Sequence, residues 1–129
     1  MNKKIAFTSL AFAAALFAAP APASAHGDEA KEGKAAADTV TGEVIDINCY
    51  MGHDGKGKDH MQCAKQCIKK GLPVGLLTEK GDIYLAVAEG HKSANDMLAD
   101  KAAQTVSVVG EVSEKSGTKM ITIHQILKK

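Results

Sequence analysis

The 129-residue chain predicts an all-β domain with short helices, a small five-stranded barrel. Three observations carry that expectation. β-branched residues gather in five short runs from Thr39 onward, as strands require. Two of the gaps between runs, Glu79-Lys80-Gly81-Asp82 and Glu114-Lys115-Ser116-Gly117, have the length and glycine content of hairpin loops. Two other gaps carry helix-start signals.

In chain order, residues 1–25 have the three parts of a secretory signal peptide. These are the basic Met1-Asn2-Lys3-Lys4, an apolar run from Ile5 to Ala19, and the small-residue site Ala23-Ser24-Ala25. The apolar run is too short to span a bilayer, which takes about 20 residues, so no membrane anchor is expected after cleavage. Residues 26–38 are small and charged and read as a flexible tail. The domain is expected over residues 39–129.

Thr39 to Ile47 reads as the first strand, with a bend or bulge at Gly42, and delivers Cys49 at its end. Met51 to Lys58 holds three glycines and reads as a loop. Asp59 with Gln62 forms a capping-box pattern, and Gly71 with Pro73 marks a stop, so a helix is expected from about His60 to Lys70. Val74 to Thr78 and Ile83 to Ala88 read as a hairpin. A second helix is expected from Ser93, capped with Asp96, to about Ala103. Thr105 to Ser113 and Thr118 to Leu127 are the last two strands.

Composition excludes several classes. After removal of the signal peptide the chain has 14 Lys against 15 Asp and Glu and no Arg. That balance offers no electrostatic draw to nucleic acid or anionic lipid. Only Tyr50 and Tyr84 remain as aromatics, so base stacking lacks its residues. No Ser-His-Asp set or phosphate loop is present, and nothing argues for hydrolase or transferase chemistry.

The chemistry-bearing residues are the three cysteines, Cys49, Cys63 and Cys67. On a helix, His60, Cys63 and Cys67 fall within an arc of about 60°. Cys49 reaches that face if the glycine-rich loop folds back. Three thiolates and one imidazole suit tetrahedral zinc and also Cu(I). His53, four residues after Cys49, is a competing fourth ligand. The alternatives are one structural disulfide from Cys49 to Cys63 or Cys67, and thiol-redox chemistry at Cys63, in the first turn of its helix. The odd cysteine count and a histidine on the cysteine face favour metal. His26 would be the mature amino-terminal residue; its amine and imidazole can chelate Cu(II), but an exposed terminal histidine is expected to be simply solvated. His91 and His124 are expected on the surface.

Five strands with a helix between the third and fourth is the layout of the OB-fold. From Thr39 to Leu127 the chain resembles the small exported bacterial OB-fold proteins. The cysteine-bearing helical insertion between strands 1 and 2 departs from their pattern. A narrower set, Cys49-Tyr50, Gly52, Gly55, His60, Cys63-Ala64, Cys67 and Gly71-Leu72-Pro73-Val74-Gly75, resembles a group of secreted bacterial proteins of uncertain function with this spacing. The resemblance implies that these residues act as one unit. The expectation is a periplasmic or secreted protein holding one zinc or copper ion, with an envelope protein as a further partner. Its alternative is a non-enzymatic OB module that binds a ligand or protein.

Overall fold

The computed structural model describes residues 37–127. The signal peptide, nearly all of the expected tail, and His26 lie outside the described residues.

Strand β1 spans Asp38–Asp46, helix α1 Ile47–His53, helix α2 Met61–Lys69, and the hairpin strands are β2 Val74–Leu77 and β3 Ile83–Ala88. A two-residue strand β4, Lys92–Ser93, and helix α3, Asn95–Leu98, lead to the long strands β5 Thr105–Lys115 and β6 Thr118–Leu127. Single 3₁₀ turns at Lys58–His60 and Ala99–Lys101 precede α2 and follow α3.

Five strands close in the order β1, β2, β3, β6, β5 and back to β1, with β4 added on the edge of β3. The β3–β6 pair is parallel and every other pair is antiparallel. This mixed five-strand barrel, with a cysteine-bearing helix between β1 and β2, is the predicted architecture. It leaves few open edges, which a small β-domain must cover.

β1 changes partner at Glu43, pairing with β5 before it and with β2 after it. The expected irregularity at Gly42 is absent from that register. Gly42 instead permits close approach, because a Cβ there would come within 2.8 Å of the Leu77 carbonyl oxygen. The register shift lies between β5 and β6 at Val109/Gly110, where Val109 faces Gln125 and Gly110 faces Ile123. His124 is therefore the extra residue of a bulge, exposed at the surface with Nε2 3.6 Å from the Glu89 carboxylate. The β5–β6 turn is tighter than expected: Ser116 and Gly117, at φ 52° and 79°, form a two-residue hairpin loop.

Val44, Leu76, Val108, Ile121 and Ile123 fill the barrel, and Ala64 and Ile68 of α2 close one end with Leu98. The i, i+4 pair Ala64 and Ile68 dictates the face that α2 buries. Cys63 and Cys67 each precede a buried residue by one position, a rotation of about 100°. Both thiols consequently sit at the rim of the packed face, Cys63 exposed and Cys67 half-buried. Among the described residues no helix is long and apolar enough to cross a membrane.

Candidate metal centre

Asp46 ends β1 and caps the next helix. Its carboxylate accepts the Cys49 backbone N–H at 2.7 Å, and the Ile47 N–H donates to the Pro73 carbonyl at 3.0 Å. These two bonds turn the chain sharply and seat the start of α1 beside the segment that follows α2. Asp46 is not a solvated loop charge. It is wholly buried, and its second carboxylate oxygen has no hydrogen-bond partner among the described residues. An Asp three residues before Cys49, directly after a β-branched run, is an N-cap signal that identifies it.

The expected loop from Met51 to Lys58 is correspondingly shorter. α1 runs to His53 and ends where Asp54 adopts φ 57°, its N–H donating to the Tyr50 carbonyl at 2.9 Å. The Gly55 N–H returns to the Cys49 carbonyl at 3.2 Å, and the Gly57 N–H donates to the Glu43 carboxylate. Because His53 lies one helical turn beyond Cys49, the two side chains share a face of α1.

α2 begins after a 3₁₀ turn rather than at a capping box. His60 occupies the N-cap position without a side-chain cap, and Asp59 is exposed. The carboxy-terminal end is firmly closed. Leu72 N–H donates to the Cys67 carbonyl at 3.1 Å and Gly71 N–H to the Ile68 carbonyl at 3.0 Å, with Gly71 at φ 95°. This is a Schellman motif. The Asn95 side-chain amide adds bonds to the Ile68 and Leu72 carbonyls at 2.6 and 2.8 Å. Cys67 is thereby held by both its own helix end and α3.

Two donor groups result, and Cys49 belongs to both. In one, the sulfurs of Cys49, Cys63 and Cys67 all lie within 4.8 Å of one another. In the other, Cys49, His53 and His60 meet within the same limit. The two imidazoles are 4.9 Å apart between centroids, tilted by 59°. Gly55 is wedged against them: a Cβ at that position would come 2.7 Å from His60 Nε2 and 3.0 Å from His53 Cε1. His60 Nε2 is buried without a hydrogen-bond partner among the described residues. Sequence spacing singled out these five residues, but as one Cys₃His set rather than two groups, and it did not anticipate the role of Gly55.

All three cysteines are free thiols in this structure, with no pair of them at disulfide distance. Burial pushes the Cys49 thiol up to about 12, and the Asp46 carboxylate and the two neighbouring thiols add to the effect. Such a thiol is a poor nucleophile without a cation beside it. A metal ion reverses that preference, since a coordinating thiol gives up its proton outright. The three cysteines with a nearby histidine can hold a metal ion. Met51 is exposed and Met61 half-buried.

A separate cleft of about 680 Å³ opens on the barrel between β1 and the β2–β3 hairpin, bordered by Thr41, Glu43, Lys56, Leu77 and Tyr84. No protein-family model, curated protein or solved structure matches the chain.

Proposed function

We propose that this chain is an exported metal-binding protein that holds one zinc or copper ion through Cys49, Cys63 and Cys67. His60 serves as fourth ligand, with His53 as the imidazole that can replace it. The observation that carries the reading is the mutual approach of three sulfurs within 4.8 Å. Around tetrahedral zinc, with Zn–S near 2.3 Å, sulfurs stand about 3.8 Å apart. Small side-chain rotations therefore bring the three sulfurs to that spacing, and His60, which meets Cys49 and whose Nε2 is unpartnered among the described residues, offers a ring nitrogen as fourth ligand. Export to the periplasm or medium is supported by the signal pattern of residues 1–25.

Exposure of Cys63 suits a centre that passes its ion to an envelope partner, as copper handling requires. A closed four-ligand shell suits structural zinc. Metal analysis of protein purified from its native compartment, before and after chelation, tests the proposal. Retained zinc or copper that is lost together with Cys49→Ala is the expected result. Metal-free protein of unchanged stability is the contrary one.

The cleft favours a second reading, in which the barrel binds a small ligand or partner and the thiols play no part. His60→Ala separates the two, lowering metal occupancy under the first and changing nothing under the second.

A further inference from the structure

The donors outnumber what one ion uses. A tetrahedral zinc or a three-coordinate Cu(I) takes four or three ligands, whereas five side chains converge here: Cys49, His53, His60, Cys63 and Cys67. They are also divided. The sulfurs form one triad, the imidazoles with Cys49 form the other, and the shared sulfur is the only donor common to both. A thiolate has several lone pairs and can bridge two soft cations.

The geometry points to a two-station centre in which the Cys49 thiolate bridges two Cu(I) ions. One ion sits in the trithiolate of Cys49, Cys63 and Cys67, and the other among Cys49, His53 and His60. This inference rests on the metal-binding reading above and extends it from one ion to a pair. Thiolates select Cu(I), and imidazole accepts it as well. On loading the second ion, His60 leaves the shell of the first, which keeps three sulfurs. Each thiol releases one proton as its sulfur binds, and no electron is transferred.

Two features independent of donor identity support a dedicated imidazole station. Among the described residues His60 Nε2 is buried without a partner, an expensive state for a polar atom with no ligand to meet. The two rings, packed close together, leave no room for a side chain at residue 55, since a Cβ there would come 2.7 Å from His60 Nε2 and 3.0 Å from His53 Cε1. Gly55 is not among the residues at positive φ, so alanine fits its backbone and acts only by displacing the rings.

The test is anaerobic titration of the full mature chain with Cu(I) against a competing chelator, followed by X-ray absorption at the copper edge. Wild type is expected to retain about two Cu(I) per chain, with a copper–copper vector as well as sulfur and nitrogen scatterers. Gly55→Ala and the double variant His53→Ala/His60→Ala are expected to retain about one, in a sulfur-only shell without that vector. A single copper in wild type, or two without a copper–copper vector, overturns the bridged pair and leaves the one-ion reading standing. No retained copper or zinc at all overturns both.

Discussion

Cys49 joins the two donor groups because Asp46 fixes the turn that presents it. The same carboxylate, by its negative charge, helps to keep the thiol protonated. Two predictions belong at this scale. In metal-free protein Cys49 should alkylate more slowly than Cys63 at pH 8, and Asp46→Asn, which removes the charge, should speed it; mass mapping of labelled peptides reads the order. The thiol also makes stability depend on pH. Its folded pKa stands at about 12 against an ordinary 9.0, so the fold favours the protonated form. That contribution is complete below pH 9 and is lost as pH rises toward 12. Denaturant midpoints of metal-free wild type should therefore fall relative to Cys49→Ala across that window. A constant difference between the two proteins would contradict the assigned environment.

α2 is where the barrel and the centre meet, since Ile68 packs in the core while Cys67 beside it offers a sulfur. Asn95→Ala should lower stability by about 1–3 kcal/mol, because it removes one donor each from the Ile68 and Leu72 carbonyls around the end of α2. The same change should loosen metal binding, which a chelator competition would detect. Gly110→Ala tests the bulge. A Cβ there collides with the Thr122 carbonyl, and overpacking of this kind costs about 1–3 kcal/mol, shown by the unfolding midpoint. The strands and their hairpins were readable from sequence because alternation and turn residues are local signals. α1 was not, since Ile47 to His53 contains Asn, Gly and β-branched Ile and has little helix propensity. It forms through the Asp46 cap and the bond from Ile47 to Pro73, and the latter is a contact across 26 residues. The donor residues could be named from composition and helix spacing. Their division into two groups around one sulfur could not, because it depends on how the Gly55 loop packs two rings together.

For the molecule as a whole, the barrel core and the centre are separable. Val44, Leu76, Val108, Ile121 and Ile123 are buried without any cysteine among them, so removing metal should leave the strands in place. Leu98→Ala, by contrast, should cost about 2–5 kcal/mol through the cavity it leaves beneath α2. Metal bound only by the folded chain adds stability by mass action, about 2.7 kcal/mol at a hundredfold excess over Kd. Chelation should accordingly lower the thermal midpoint of wild type and leave that of Cys49→Ala unchanged. The most direct test of the convergence of these thiols is X-ray absorption at the zinc or copper edge on protein isolated with its native metal. A first shell rich in sulfur near 2.3 Å, with three sulfur scatterers for a single ion or about two with one nitrogen on average for a copper pair, is the predicted result. A shell of nitrogen and oxygen alone would contradict it.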